Sequence, residues 1–208
     1  MIRLIMIGGG GHALSVADSM NPEEMEIAGC INEVNDLTLP GIPLIGRSLE
    51  DIRDAESYAY FIAIGDNQNR KRWFENLQSR GLKIASVIDP TARIAKSAEI
   101  GTGCFIGKYA VVNAGAKIGN DCIINTRAVA EHESRVGDHA QLATGAIING
   151  KTVVEELAFL GSGCVCNDKV TIGRGAIIGS GTVVIRDIPP EVTAVGNPAR
   201  IIKSREDQ

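Results

Sequence analysis

Aromatic side chains are scarce in this chain of 208 residues, where tryptophan, tyrosine and phenylalanine together make up 4%. Apolar residues nevertheless reach 44%, and glycine occurs 24 times. A core with so few rings must be built from small and branched aliphatic side chains. The length allows one large domain or two small ones, either able to bury a substantial core.

Long hydrophobic runs and an excess of one charge are also missing. No apolar run approaches the roughly 18 residues of a membrane-spanning helix, so we expect no membrane association. The opening MIRLIMIGGGGHALSVA resembles a signal peptide, but its four glycines favour a strand, a turn and a helix. Acids and bases are mixed at a net charge of −4, which predicts no nucleic-acid partner. We therefore expect a cytoplasmic protein.

What the chain has instead is a six-residue repeat. Sixteen positions follow one another at this spacing, and fourteen of them are Ile, Leu or Val. A small residue precedes most of them by two places, and a glycine or asparagine often follows, where we expect a turn with positive φ. The sixteen positions are Ile94, Ile100, Ile106, Val112, Ile118, Ile124, Ala130, Val136, Leu142, Ile148, Val154, Leu160, Cys166, Ile172, Ile178 and Val184.

A period of six fits neither a helix nor a simple alternating strand, and it is typical of a β-helix. Three hexads complete one coil, adjacent coils stack about 4.8 Å apart, and sixteen hexads give about five coils. The five cysteines include no C-x-x-C pair. Four of them fit the six-residue repeat: Cys104, Cys122 and Cys164 occupy positions for small residues, and Cys166 occupies an aliphatic position. We therefore expect these four side chains to be buried in the core.

Residues 1–90 lack hexads and alternate β and α elements, which predicts a small parallel sheet. The predicted strands are Leu4–Ile7, Glu26–Ile31, Ala59–Gly65 and Lys83–Ile88; the helices span about 13–20 and 67–80, with a short one opening at Ser48 and Gly81 as the C-cap. Asp89-Pro90 is the expected boundary. The predicted fold is thus an α/β domain over 1–90 and an all-β hexapeptide β-helix over 91–208, with a C-terminal cap.

Ligands of such sheets bind beyond the carboxyl ends of the strands. Gly8, Gly10 and Ala13 fit G-x-G-x-x-A loosely, but ninety residues are short for a dinucleotide. A nucleotide or nucleotide-sugar fits better, with its phosphates near the amides of Gly10 and Gly11. His12 is either a ligand contact or simply a residue at the helix N-terminus. Asp66 and Asn67 begin the other helix as caps, and Arg70 is a further candidate ligand contact.

Three ordered motifs, GGGGHA, IAIGDNQNRKR and hexads carrying NTRAVAEHE, together resemble one family over essentially the whole chain. These are bacterial sugar acyltransferases, which include the sialic-acid O-acetyltransferases (NeuD-like). The motifs are most similar to the UDP-4-amino-sugar N-acetyltransferase of bacillosamine synthesis (PglD-like). The resemblance implies a Rossmann-like nucleotide-sugar domain, a left-handed parallel β-helix, a homotrimer, acetyl-CoA as co-substrate and a role in precursors of cell-surface glycans.

The resemblance also implies roles for residues of the EHE segment and its surroundings. His132 matches the family's base, Glu133 the acid that orients it, Asn125 the asparagine near the acetyl group and Gly150 a backbone amide facing the thioester. The nucleotide-sugar contacts fall on His12 and on Asp66 to Arg70. Two departures matter. Gln141 stands where many members have a histidine, and Asn32-Glu33 replaces the usual acidic pair among the substrate contacts after the second strand. Acetyl-CoA contacts are expected at Gln141, Gly150, Gly161, Ser162, Gly179, Ser180, Pro198 and Arg200. The last two belong to a GNPAR tail that alternatively only caps the open end.

The hexad spacing independently relates His132 to Gly150. His132 follows an aliphatic slot by two residues, which predicts an outward corner, and Gly150 lies 18 residues later, one coil above at about 5 Å. A base and a bare backbone N–H would then share one column, with room between them for an amine and a thioester carbonyl. The alternative is that His132 is a solvated turn residue.

We therefore expect an enzyme that transfers an acetyl group from acetyl-CoA to the amino group of a nucleotide-linked deoxyamino sugar, with no metal. One alternative is a hydroxyl acceptor, as in sialic-acid O-acetylation, because one His–Glu pair can deprotonate either group. A second is a zinc β-helix enzyme similar to the γ-type carbonic anhydrases, which need three converging histidines. A third is a nucleotide-sugar sensor without catalysis.

Overall fold

The computed structural model of the protein describes residues 1–34 and 39–204. Its first part is a five-stranded parallel sheet made of β1 (Ile2–Ile7), β2 (Met25–Ile31), β3 (Leu44–Gly46), β4 (Ala59–Ile62) and β5 (Lys83–Ile84). The strand order is β3-β2-β1-β4-β5. Strands β2 and β3 therefore lie on one side of the central β1, and β4 and β5 lie on its other side. The predicted α/β arrangement is confirmed.

Two helices cover this sheet. Helix α1 (Gly11–Ser19) begins directly after the glycine turn, and α2 (Asn67–Ser79) begins at an N-cap where the Asp66 carboxylate accepts from Asn69 N at 2.8 Å. Gly81 adopts φ +67°, as expected of a C-terminal glycine. None of the helices in the described ranges is long and apolar enough to cross a membrane. The segment that Ser48 opens is only a 3₁₀ turn, Leu49–Asp51.

The predicted strand Lys83–Ile88 is divided between two sheets. Its first two residues form β5 of the α/β sheet. Strand β6 (Val87–Ile88) instead pairs with Phe105–Ile106 of the β-helix, whose three flat faces form a prism. Residues 85 and 86 turn the chain from one sheet into the other. The prism pairing thus begins three residues before Pro90.

The prism has three faces, each a parallel ladder of two-residue strands. Face 1 starts with β6 and continues with β9 (Phe105–Ile106), β12 (Ile123–Ile124), β15 (Gln141–Leu142), β18 (Phe159–Leu160) and β21 (Ile177–Ile178). Face 2 holds β7 (Arg93–Ile94), β10 (Val111–Val112), β13 (Val129–Ala130), β16 (Ile147–Ile148), β19 (Val165–Cys166) and β22 (Val183–Val184). Face 3 holds β8 (Glu99–Ile100), β11 (Lys117–Ile118), β14 (Arg135–Val136), β17 (Val153–Val154) and β20 (Thr171–Ile172).

The chain visits faces 2, 3 and 1 in turn, and partners on one face are 18 residues apart, as in Val111 with Val129. The second residue of each strand is the aliphatic position of the hexad, and these side chains form one continuous buried core. Short neighbours fill the corners of that core, among them Cys104, Cys122 and Cys164 at 0% exposure. All five cysteines are free and buried, as the repeat predicts for the four on the prism. The β-helix predicted from the six-residue repeat is therefore confirmed.

One expectation about the turns is wrong. Positive φ occurs three residues after the aliphatic position in fourteen of the sixteen hexads, at Gly103, Tyr109, Gly115 and their counterparts, not at the residue that directly follows it. The glycines directly after the aliphatic residues instead allow neighbouring coils to approach closely. A Cβ on Gly101, for example, would lie 2.7 Å from the Gly119 backbone. Glycine is needed there because real Cβ contacts are almost never shorter than 3.0 Å.

The coil stack ends in a hairpin. Strand β23 (Val192–Val195) extends face 1 and pairs antiparallel with β24 (Arg200–Ser204). Against the lower part of face 1 packs the α/β domain, whose core includes the outward side chains Phe105 and Ile123 of the prism. This shared apolar core fixes the two domains against each other.

Candidate active site

The corner between faces 2 and 3 carries the EHE segment. Ala130 points into the core, after which Glu131, His132 and Glu133 form the turn. The turn is held from inside, because the buried Ser134 hydroxyl donates to Glu131 O at 2.6 Å. Coils below and above hold it as well, through Glu133 N to Ala114 O at 2.9 Å and Lys151 N to His132 O at 3.0 Å. The corner backbone is thus rigid while the His132 side chain remains 56% exposed.

Of the two flanking carboxylates, Glu133 is the one that reaches the imidazole. Its Oε2 lies 3.4 Å from His132 Nδ1, and Lys151 Nζ lies 3.5 Å from the same oxygen. The Glu131 carboxylate turns to the coil below instead, where it accepts from Asn113 Nδ2 at 3.0 Å. A proton on Nδ1 is therefore favoured, and Nε2 is left with a free lone pair.

Gly150 lies directly above the imidazole. A Cβ built on Gly150 would be 2.5 Å from both Cε1 and Nε2 of His132, so no other residue type fits beside the ring in this position. The N–H of Gly150 donates no hydrogen bond to any residue in the described ranges. The exposed imidazole thus covers a buried glycine whose N–H has no partner in the described ranges, in the column that the 18-residue spacing predicts.

Two predicted site residues lie away from this corner within the chain. Asn125 follows β12 and belongs to the corner between faces 1 and 2, on the other side of face 2 from His132. Its Oδ1 accepts from Thr126 N at 2.8 Å, which leaves Nδ2 available as a donor. Gln141 lies on face 1 and is only 8% exposed, with no partner for Oε1 in the described part of the chain. A single chain therefore does not bring Gln141 to the imidazole.

The residues expected to contact acetyl-CoA share the corner between faces 1 and 2. Ser162 and Ser180 are exposed there on successive coils, linked by the bond from Gly181 N to Ser162 O at 2.9 Å. Gly161 lets the coils approach closely, since its Cβ would lie 2.6 Å from Ser180 N. The GNPAR tail meets the top of the same side: Ala199 N donates to Val183 O at 2.9 Å between Pro198 and the exposed Arg200.

A crevice of about 220 Å³ opens at the carboxyl ends of β1, β2 and β4. We call it the glycine-loop crevice; it is lined by residues 7–10, 31–34, Ala63, Ile64, Asn69 and Trp73. Gly8 adopts φ +101°, and a Cβ there would meet Ala63 O at 2.9 Å, so glycine is required at this turn. Gly10 lines the crevice and Gly11 begins α1, with open space where its side chain would be.

His12 points from the same helix start toward the prism. Its ring packs edge-on against Phe105 with centroids 5.1 Å apart, and Nε2 is buried without a partner among the described residues. Burial lowers the pKa of His12 to about 4, and the Arg70 charge acts in the same direction. The side chain is therefore neutral at pH 7 and lies at the domain interface, outside the lining of the glycine-loop crevice.

Arg70 is not positioned as a ligand contact. Its side chain is 1% exposed, and its N–H groups donate to backbone oxygens of Asp121 at 3.0 Å and His139 at 2.7 Å on the prism. The remaining donors reach Ile64 O and Gly65 O. Within this structure the hydrogen-bonding capacity of Arg70 is used to join the two domains.

The partners of Arg70 on the prism form a buried cluster. The Asp121 carboxylate lies 3.3 Å from Arg70 Nε and 2.8 Å from His139 Nδ1. Burial raises the pKa of Asp121, while the bond to His139 and the Arg70 charge oppose that rise. His139 is buried and packs against Phe74 at 5.4 Å, so it is far less accessible than His132. Two prism histidines in such unlike places do not converge as a zinc site needs, and the described residues contain no group of three metal-ligating side chains.

A second space, the interdomain cavity, lies between the start of α2 and the prism. It has about 270 Å³ and is lined by Gly65–Gln68 on one side and by Leu157, Phe159, Gly175 and Ile177 on the other. Asn67 is held there, since its Nδ2 donates to Leu157 O at 3.0 Å, while its Oδ1 has no partner in the described ranges. The segment from Ile64 to Asn69 thus borders both cavities.

Sequence reasoning missed Trp73, the only tryptophan of the chain. On α2 it reads as an ordinary core position, and it is 5% exposed. Its indole nevertheless lines the glycine-loop crevice, and Nε1 has no hydrogen-bond partner in the described part of the chain. Only the packing of α2 beside β1 reveals this, because these two segments are far apart in sequence.

Comparisons with known proteins agree with this architecture. Residues 3–77 match the family model of the PglD N-terminal domain, and residues 97–130 match that of the bacterial transferase hexapeptide. A variant of perosamine N-acetyltransferase from Caulobacter crescentus, in complex with CoA and GDP-perosamine, is 33% identical with a TM-score of 0.93, covering 97% of both chains.

The acetyltransferase domain of PglB from Neisseria gonorrhoeae is 30% identical, with a TM-score of 0.91 over 97% of this chain and 100% of its own. That domain is also known in complex with acetyl coenzyme A. This chain belongs to the PglD-like family of sugar N-acetyltransferases. Its second domain is accordingly the left-handed parallel β-helix of hexapeptide transferases.

Proposed function

We propose that the protein transfers the acetyl group of acetyl-CoA to the amino group of a nucleotide-linked deoxyamino sugar. The observation that carries this proposal is that the exposed His132, held by Glu133, lies against the buried Gly150, whose N–H has no partner among the described residues. The related perosamine enzyme with bound CoA and GDP-perosamine supports the choice of both substrates.

The chemistry follows from the two free groups of the column. His132 Nε2 takes a proton from the sugar amine as its nitrogen attacks the thioester carbonyl carbon. The carbonyl oxygen becomes an oxyanion, and the Gly150 N–H donates to it. Collapse of the tetrahedral intermediate breaks the carbon–sulfur bond, and the imidazolium returns its proton to the CoA thiolate. Glu133 keeps the imidazole in the required tautomer and stabilises its positive charge.

We propose that the α/β part, over about 1–90, is a Rossmann-like nucleotide-sugar domain. The amides of Gly10 and Gly11 at the start of α1 suit a diphosphate, because helix N-termini attract anions. Glu33 at the end of β2 suits the ribose hydroxyls. The sugar would then extend past Asp66 and Asn67, the segment that borders both cavities.

A homotrimer completes the proposed site. Within one chain the base, the residues assigned to acetyl-CoA and the interdomain cavity lie on three different corners of the prism. A neighbouring copy can bring its corner with Asn125, Ser162 and Ser180 against the corner with His132, so that acetyl-CoA lies between two prisms. In that arrangement the free Nδ2 of Asn125 faces the acetyl group. The buried free cysteines fit a reducing cytoplasm, where we place the enzyme.

The decisive assay measures CoA release from acetyl-CoA with UDP-, GDP- and dTDP-linked 4-amino sugars, and product mass identifies N-acetylation. His132→Ala should lower kcat about 10²–10⁴-fold, the usual value of positioned proton transfer. The kcat of Glu133→Ala should lie between those of the wild type and His132→Ala. Melting temperatures and CoA affinity should stay near wild type, because the side chain is exposed. Transfer to hydroxyl sugars alone, or normal turnover by His132→Ala, refutes the proposal.

Mixed assemblies test the site shared between chains. His132→Ala and Ser180→Trp, which fills the acetyl-CoA corner, should each be inactive alone. Refolded or co-expressed together, they should recover part of the activity, since some sites take an intact corner from each chain. Absence of recovery in a mixed trimer, or a stable active monomer by sedimentation, shows that each chain carries a complete site.

A further inference from the structure

One carboxylate oxygen of Glu133 faces both the imidazole and a lysine. Its Oε2 lies 3.4 Å from His132 Nδ1 and 3.5 Å from Lys151 Nζ. Lys151 follows Glu133 by 18 residues, so it occupies the same position of the turn one coil above. Both residues adopt positive φ, 57° at Glu133 and 62° at Lys151. The stacking of the coils therefore places the ammonium group next to the carboxylate that holds the base.

Two carboxylates of the same turn flank the imidazole, those of Glu131 and Glu133. The Glu131 carboxylate accepts from two neutral donors, Asn113 Nδ2 at 3.0 Å and His132 N at 3.2 Å. A negative charge beside an imidazole stabilises its protonated form. Protonation occupies the lone pair of Nε2, on which proton abstraction depends. Two acidic neighbours alone would therefore oppose the function of His132 as a base.

Lys151 is the cation that offsets these acidic neighbours. Among the described residues, its ion pair is the only one that joins a lysine or arginine to the EHE segment. The turn below, residues 113–115, carries no charged side chain. Arg135, the next charge along the chain, lines the open groove of face 3 instead. In the proposed trimer the opposing corner would add the exposed Arg127, and this charge would be the same in every variant of Lys151.

We propose that Lys151 is a positioning residue for the base. This rests on the role of His132 in the proposed function. The ammonium group holds the Glu133 carboxylate beside Nδ1, which maintains the favoured tautomer of the imidazole. The same positive charge opposes protonation of Nε2, because it offsets the negative charge of the carboxylate. The sugar amine then meets a free lone pair at lower pH than it would beside the two carboxylates alone.

The direct test is the titration of His132 in the full-length protein, followed by NMR with ¹³C-labelled histidine. The chain has three histidines, and the signal that is lost in His132→Ala identifies the relevant one. Lys151→Met removes the charge and should raise the pH midpoint by roughly half to one pH unit, as expected of one charge a few ångströms away near a surface. Lys151→Glu should raise it further, and Lys151→Arg should stay near wild type. An unchanged or lowered midpoint in Lys151→Met overturns the inference.

Lys169 provides a matched control. It lies one further coil above Lys151 on the same corner, is exposed and has the same φ of 62°. Two coils, about 10 Å, separate it from Glu133, so salt screens most of its effect. Lys169→Met should therefore move the midpoint by less than about 0.2 pH units. A shift as large as that of Lys151→Met would show that the general charge of the corner acts, and not the pair with Glu133.

Salt distinguishes an electrostatic role from a structural one. In about 1 M NaCl the Debye length falls to about 3 Å, so the difference between Lys151→Met and the wild type should shrink. A difference of unchanged size in high salt would mean that the substitution rearranges the turn, and it overturns the inference.

Turnover should follow the titration. In single-turnover acetyl transfer with saturating substrates, Lys151→Met should be about three- to tenfold slower than wild type near pH 6. Near pH 9 the two rates should agree within about twofold, because the imidazole is then unprotonated in both proteins. A raised KM for acetyl-CoA or the amino sugar at every pH, with the wild-type pH profile, would make Lys151 a ligand contact and overturn the inference.

The outcomes distinguish this inference from the proposed function. If His132→Ala is inactive and Lys151→Met titrates like the wild type, only the role of Lys151 is wrong and the enzyme activity stands. If His132→Ala keeps normal turnover, the base lies elsewhere, and the proposed mechanism fails together with the role of Lys151.

Discussion

Arg70 Nε on α2 lies 3.3 Å from the Asp121 carboxylate on the prism, and the two side chains are 1% and 0% exposed. The ion pair joins two domains that already share an apolar core. Removing either side chain would leave the other buried without its opposite charge, so the pair constrains how the α/β domain packs on the prism.

Arg70→Ala should lower the free energy of unfolding by about 3–5 kcal/mol, because it leaves the Asp121 carboxylate buried without its cation. Urea unfolding followed by circular dichroism measures the loss. Arg80→Ala is the control on the same helix, since the pair of Arg80 with Glu50 is exposed and contributes little. Equal stability of the two variants would contradict the structural role of Arg70.

Gly150→Ala should lower kcat about 10- to 100-fold with a smaller effect on KM, because the added methyl overlaps the imidazole and displaces the base. The backbone of Gly150 does not need positive φ, so the fold and the melting temperature should be kept. In a double mutant with His132→Ala, the glycine change should add almost nothing to the loss. Full additivity would show that the two residues act separately.

Gln141→His should change turnover less than about tenfold, which corresponds to under about 1.4 kcal/mol in activation free energy. The side chain lies almost buried on face 1, away from the imidazole of its own chain. Gln141→Leu should leave the melting temperature unchanged or raise it, because it removes an unpartnered buried oxygen. Gln141→Glu should lower it by burying a charge. A collapse of acetyl-CoA affinity in Gln141→Leu would return this residue to the acetyl-CoA site.

Acidification should destabilise the protein partly through His12. In the folded protein its pKa is about 4, below the ordinary 6.5 of the unfolded chain. Between these values the unfolded state binds the extra proton, so stability present above pH 6.5 is lost as pH falls toward 4. The shift corresponds to about 3 kcal/mol. Urea unfolding of wild type and His12→Leu at pH 8 and pH 4.5 should show a smaller pH-dependent loss in the variant. The same loss in both would exclude His12 as a contributor.

The prism could be predicted from the sequence almost completely, because each hexad is a local pattern whose aliphatic side chain must be buried inside the coil. Once Ile118, Ile124 and Ala130 are known to face inward, the outward corner at His132 follows from counting. The column of His132 and Gly150 follows as well, since 18 residues make one coil and coils stack directly. The start of α2 could be predicted from local sequence in the same way, because the Asp66 carboxylate caps the helix by accepting from the N–H of Asn69, three residues later.

What the tertiary structure decided was where two separately predicted domains touch. The motif that contains Arg70 suggests a ligand contact, yet docking on the prism buries the guanidinium against Asp121 and His139. The same docking divided the strand after Lys83 between two sheets. Trp73 became a crevice residue only because α2 packs beside the glycine loop. These contacts join segments tens of residues apart, and their geometry depends on packing between surfaces that no local spacing records.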